Sequence, residues 1–203
     1  MDKKIIENAK NYVNMLLAPL ENLYFHQYEH SLDVMKRAIE LWEKEWLNKE
    51  EIEILALSWI FHDTWFVIQY DNNEYVWARI ARNFLRWSLY PENKIKQIEE
   101  IILATDPNYK EPKNIFEKII KDADLDNLGR DDFLDKANDL KKEREIIEKI
   151  KKQDPNWIHW ILLFLEEQKF YTDTQKKERE SKKQSNIEIL KNMLKELEEN
   201  EKI

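Results

Sequence analysis

Two histidines and two aspartates offer the chain its best chance of shared chemistry: His30, the adjacent pair His62-Asp63, and Asp124 within Lys121-Asp122-Ala123-Asp124-Leu125-Asp126. Two imidazoles and two carboxylates close most of an octahedral shell around a divalent metal of intermediate hardness, leaving positions for water and a phosphate oxygen. Burying all four on an apolar framework without a cation would be costly. Each residue alone has a blander reading. A lone histidine more often sits at a helix start or in a core, His-Asp pairs are common, and an acidic run such as 122–126 is by default a solvated face. The order and spacing of the set carry the signal.

Something must bring these residues together, and composition narrows what it is. The 203 residues suit one domain with a real core, and 42% hydrophobic content with eight Trp, eight Tyr and eight Phe indicates a globular chain. A net charge of −8 disfavours sequence-independent capture of duplex nucleic acid and leaves a small anionic substrate as the expected partner. Cysteine is absent, which excludes disulfides, thiolate zinc sites and cysteine nucleophiles. Gly129 is the only glycine, so no glycine-rich phosphate loop exists and any phosphate must be held by metal and side chains. No apolar run approaches the roughly 20 residues that span a bilayer, and the beginning of the chain does not resemble a signal peptide, so a cytoplasmic protein without a membrane partner is expected.

Apolar residues recur at three- and four-residue spacing almost throughout, without a clear alternating strand, which predicts an all-α, compact single-domain helical bundle over 1–203. Helices are expected over 3–18, 31–46, 49–62, 75–89, 94–104, 113–127, 131–152, 156–168 and 174–200. The run Ile54 to Phe61 is apolar all round and marks a central buried helix. Segment 131–152 is heavily charged with a thin apolar seam and reads as peripheral. Gly129 is placed to end a helix in the left-handed conformation. Consecutive residues on a helix point about 100° apart, so His62 and Asp63 reach one ion only if the helix ends there, as the end of the apolar run implies.

The residues flanking the quartet are similar to known motifs. Phe25-His26-Gln27-Tyr28-Glu29-His30-Ser31-Leu32-Asp33-Val34 resembles the YHNxxHTxxV opening of bacterial HD-domain phosphohydrolases, and Ala56 to Asp63 resembles their AALFHD helix. Ile101 to Thr105 is similar to their IxAT segment. Asp122 to Phe133 resembles a DADLDYLGRDDF run in one bacterial branch. The resemblance covers about 24–172, with 174–200 as a C-terminal helix beyond it. It implies a helical bundle of the HD-domain type, with His30, His62, Asp63 and Asp124 as metal ligands and His26 behind them or facing phosphate.

The expected function is therefore a metal-dependent phosphohydrolase, a phosphomonoesterase or phosphodiesterase, acting on a nucleotide or other small phosphate ester. Its cofactor would be one divalent ion, Mn, Co, Ni, Fe, Zn or Mg. Asp63 is a candidate proton acceptor and Glu74 a second, although a glutamate in a first helical turn is also simply favoured there by the helix dipole. Arg130 and Arg79 are candidates to neutralise phosphate charge. Against the branch pattern NHEEVSA, Asn73 stands where a histidine would and Trp77 where a small residue would; Ile161 and Gln168 replace a Gln and a His. These departures speak against a second metal. They leave two alternatives: a pocket remodelled for another substrate, or a catalytically degenerate HD-fold protein that binds a nucleotide or protein partner without turnover. A purely structural bundle with a coincidental quartet is the third.

Overall fold

The computed structural model describes residues 3–18, 24–45, 51–62, 73–106, 108–147 and 156–200. Among them are nine α-helices, one 3-10 turn and no strand. The helices are α1 (Lys3–Leu17), α2 (Tyr28–Lys44), α3 (Ile52–Phe61), α4 (Asn73–Trp87), α5 (Glu92–Leu103), α6 (Ile115–Asp124), α7 (Phe133–Ile147), α8 (Trp157–Glu167) and α9 (Asp173–Asn200), with the 3-10 turn at Asp126–Gly129 between α6 and α7. No helix among the described residues is long and apolar enough to cross a membrane.

Helix α3 is the centre. Every residue from Glu53 to Phe61 is buried, which is why its sequence shows no polar face. It packs against α1, α2, α4, α5 and α6. Its one internal hydroxyl, Ser58, turns back to donate to the Ile54 carbonyl at 2.9 Å and so costs little in an apolar interior. Around it Trp42, Leu85, Ile95, Ile98 and Ile102 complete the larger core. A smaller core joins the 3-10 turn, α7, α8 and α9 through Leu128, Phe133, Trp157, Ile161, Leu165 and Ile187.

A buried polar staple joins α9 to α2 and α6. Asp126 receives Arg37 Nε at 2.9 Å from α2, and Arg179 Nε at 2.7 Å and Gln175 Nε2 at 3.0 Å from α9. Asp122 accepts the backbone N–H groups of Tyr171 and Thr172, both at 2.7 Å, just before α9 begins. Residues four apart share a helix face, so Asp122 and Asp126 both turn toward α9, while Asp124, about 200° round from Asp122, turns the other way. The acidic run expected to be solvated is thus divided: its outer members are buried anchors.

Several sequence expectations change. Gly129 does not adopt a positive φ. It is small because α9 crosses it closely: a Cβ there would lie 2.6 Å from both Cβ and the carbonyl oxygen of Arg179. The left-handed cap is taken by Leu89, φ 56°, where Tyr90 N–H returns to the Leu85 carbonyl at 2.9 Å. Helix α2 begins at Tyr28, three residues ahead of the expected 31. Helix α7 is less peripheral than its charge suggests, since Phe133, Ala137 and Glu143 are all buried. Beyond Ile147 the expected continuation to 152 lies outside the described residues.

Two substitutions test this account. Gly129→Ala should lower stability by about 1–3 kcal/mol, because backbone of α9 has to move. Leu89→Gly should raise it by about 0.5–1 kcal/mol, because the leucine is 92% exposed and loses no burial when its strain is relieved. Urea unfolding measures both, and a fully stable Gly129→Ala would contradict the close crossing.

Candidate metal centre

His30 lies in the first turn of α2, buried, with its ring against Phe25 at a centroid distance of 4.7 Å. His62 caps the C-terminus of α3 and is fully buried. Asp124 is the last residue of α6. Three separate helices therefore deliver them to one place: His30 Nε2 is 3.6 Å and His62 Nε2 3.4 Å from the same oxygen, Oδ1 of Asp124. One ligand atom from each lies within 4.8 Å of the other two.

These separations fit a shared ion. Ligands about 2.0–2.2 Å from a metal stand roughly 3.0 Å apart when adjacent in an octahedron and about 3.4 Å apart in a tetrahedron. A direct charge-assisted hydrogen bond would be shorter, about 2.7–2.9 Å. The tautomer of His62 points the same way. Its Nδ1 is 2.8 Å from the Trp59 carbonyl, which can only accept, so Nδ1 carries the hydrogen and Nε2 presents its lone pair toward Asp124. Both His62 and Asp124 also end helices, where the backbone adds partial negative charge that favours a cation. Asp63, the remaining candidate ligand, lies outside the described residues.

A cleft bordering the cluster is lined by Phe25, His30, Asp124, Asn127, Arg130 and Lys136, among others. Arg130 is heavily compensated: its Nε and Nη2 meet the two oxygens of Asp132 at 2.9 and 2.6 Å, and Nη1 lies 3.4 Å from Asp33. Arg79 is on the exposed face of α4 and Glu74 in that helix's first turn. Trp77 is buried with its ring edge-on to His62, centroids 6.4 Å apart, so the indole fills space beside the cluster. The side chain of Asn73 is outside the description. Ile161 belongs to the smaller core, and Gln168 is buried beside it, accepting from Lys183 through its carbonyl.

Three supporting residues escape a sequence reading. Glu143 of α7 is fully buried and accepts the backbone N–H groups of Tyr24, Phe25 and His26 at 3.0, 2.9 and 3.0 Å, together with the His26 ring nitrogen Nδ1. Burial pushes its carboxyl up, but His26 and the amide donors outweigh this and hold it below the usual glutamate range. A glutamate on the seam Phe133, Ala137, Leu140 was the available signal. Lys121, buried between α5 and α6, donates to the carbonyls of Ala104 and Asp106, both at 2.9 Å. Burial lowers its pKa, outweighing the opposing pull of Asp124, Asp106 and Glu74. Asp122 is pushed up to about 6 by burial against its two amide donors.

With this geometry in place, comparison with known proteins finds a domain model that matches the segment carrying it. Residues 27–126 match the HD domain. The match supports placing the chain in the HD-domain superfamily; it opens three residues before His30 and closes two after Asp124. It leaves out α7, α8 and α9, the helices that supply Glu143, Gln175 and Arg179. No curated protein matches the chain in sequence. Two solved structures share the fold over nearly the whole length. Bacillus subtilis YpgQ, solved in complex with ADP, is 16% identical with a TM-score of 0.62, covering 97% of this chain and 95% of its own. A Lactobacillus plantarum protein is 13% identical with a TM-score of 0.67, covering 98% of each. At these identities the likeness extends to the fold, including the helices beyond the HD domain.

A divalent ion that binds only the folded cluster should raise the melting temperature by mass action, by an increment that grows with free metal and disappears in His62→Ala and on chelation. Thermal unfolding in Mn, Co, Ni, Zn and Mg checks this; identical shifts in wild type and His62→Ala would remove the cluster as the cause. Glu143 makes a separate pH prediction. Its folded pKa is depressed, so its stabilisation is present above the ordinary value of 4.5 and is lost as pH falls through the lower folded value. Glu143→Gln should therefore flatten the acid limb of stability against pH, measured by urea midpoints between pH 3 and 7.

Proposed function

We propose that the chain is a metal-dependent phosphohydrolase acting on a nucleotide or other small phosphate ester through one divalent ion. His30, His62 and Asp124 would hold that ion, with Asp63 as the fourth ligand. The convergence of two imidazole nitrogens on one carboxylate oxygen from three helices carries the reading, and the HD domain match and the family's general metal-dependent hydrolysis support it. That a fold relative was solved with ADP favours a nucleotide. When bound, such an ion polarises a phosphate oxygen and lowers the pKa of a coordinated water.

The remaining work falls to the chain itself. Asp63 is the proposed acceptor for the proton of the attacking water, with Glu74 as the second candidate. Arg130 on the cleft and His26 beside His30 would meet the phosphate, and Lys136 on the cleft adds a cation that the sequence did not single out. Arg79, exposed on α4, does not line this cleft, so Arg130 is preferred for charge neutralisation. Trp77 narrows the space beside His62, and Asn73 lacks the imidazole that a second ion would use; both favour one ion and a restricted substrate range. The acidic chain is not expected to bind duplex nucleic acid, and a cytoplasmic location is the accompanying proposal.

Trp77 also supports the second reading, an HD-fold protein that holds a nucleotide or a protein partner without turnover, because a buried indole next to a metal ligand could have displaced the reacting group. One experiment separates the readings: metal titration by calorimetry together with a hydrolysis screen over nucleotides and simple phosphate esters. The expected result is at most one tight ion per chain and weak or narrow hydrolysis. Two tight ions would contradict the single-ion site. Metal binding and nucleotide binding without turnover of any substrate would establish the non-catalytic alternative, and no metal binding at all would leave a structural bundle.

A further inference from the structure

The carboxylate of Glu143 is out of contact with solvent, and four donors converge on it from one short stretch of chain, Tyr24 to His26. Three of those donors are backbone amides. All three go to Oε2 and hold the stretch against α7, while Oε1 is met by the side chain at 26, where an amide donor could serve a purely structural need as well as an imidazole. The fourth donor is an imidazole. A carboxylate only accepts, so His26 Nδ1 carries the hydrogen and is committed to Glu143. The ring is thereby oriented by two anchors, its own backbone amide and Nδ1, both on the same carboxylate.

The oriented ring lies where the proposed chemistry is. Its centroid is 6.0 Å from that of His30, edge to face, and 4.8 Å from that of Phe25, which also meets His30. The His26 side chain is 15% exposed, buried enough to be held and open enough to be reached. Committing Nδ1 to Glu143 turns the opposite nitrogen, Nε2, away from α7. We infer that Glu143 is a positioning residue that fixes the His26 imidazole so that Nε2 forms a hydrogen bond with the substrate phosphate at the His30, His62 and Asp124 centre. This deepens the phosphohydrolase reading and rests on it for what His26 meets. Glu143 acts from α7, outside the 27–126 HD domain, so the site is incomplete without the helices that follow that domain.

The proposal is tested with Glu143→Gln, His26→Gln and the double variant of the full chain. The Glu143→Gln substitution keeps an oxygen for the amides, and His26→Gln leaves the Glu143 carboxylate and its amide donors untouched, so at least one single variant keeps the segment folded. In metal-free wild type, proton NMR should show a slowly exchanging low-field ring N–H signal, assigned to His26 by its loss in His26→Gln and lost also in Glu143→Gln. With manganese bound, the affinity for inorganic phosphate by calorimetry should fall about tenfold in each single variant and no further in the double variant, while manganese affinity stays within about twofold. Full additivity of the two substitutions would overturn the coupling, and unchanged phosphate affinity in His26→Gln would overturn the phosphate contact. Loss of manganese affinity in Glu143→Gln alone would show that Glu143 serves His30 instead. A manganese-loaded wild type that binds no phosphate would defeat the phosphohydrolase reading itself, and the ring N–H signal, which needs neither metal nor phosphate, tells that failure apart from failure of the Glu143 pairing.

Discussion

Burying a carboxylate in a helical bundle demands donors, and the placement of those donors organises this molecule. Asp126 is the clearest case, since Arg37 from α2 and Gln175 and Arg179 from α9 all converge on it. Removing one partner from such a buried pair typically costs about 3–5 kcal/mol, because the other charge is left without compensation. The requirement is strong enough to set where α9 lies, and with α9 fixed, Asp122 finds the amides of Tyr171 and Thr172. Helical periodicity then aims Asp124 at the two histidines. The candidate metal cluster is in this sense a by-product of how its neighbours are satisfied.

The same rule explains why the fold extends beyond the segment that bears the candidate cluster. Within 27–126 the histidines and the aspartate are delivered by α2, α3 and α6, but the groups that hold those elements in register come from later in the chain. Glu143 collects the stretch leading into α2, and α9 clamps α2 and α6 together. Gly129 belongs to this arrangement, as its missing Cβ lets α9 pass. Two fold relatives with very low identity match over nearly their full lengths, which agrees with a scaffold in which the flanking helices are integral.

Near the cluster, charge is held tightly. Arg130 meets Asp132 and Asp33, and Lys121 donates to two carbonyls, so neither is simply a mobile cation awaiting an anion. Bound in place, such groups are pre-oriented, and a ligand that meets them does not have to order long side chains first. Trp77 acts in the opposite sense, by occupying volume beside His62. Restricted space and pre-set charge thus meet beside the candidate cluster.

Much of this was legible in the sequence. Three- and four-residue apolar spacing is a direct consequence of helix geometry, so the all-α class and the buried character of Ile54 to Phe61 follow from local pattern alone. His30, His62 and Asp124 stood out through their order, spacing and flanking residues, since each alone had a blander reading. Helix ends, the peripheral reading of α7 and the role of Gly129 did not follow, because each depends on a partner distant in sequence: Leu89 took the left-handed cap, Arg179 required the glycine, and residues 24–26 gave Glu143 its reason to be buried. Residue chemistry and periodicity are properties of a short stretch and can be read from it. Which carboxylate is an anchor and which faces a site is settled only when helices far apart in the chain meet, since burial and hydrogen-bond partnership are properties of the packed whole.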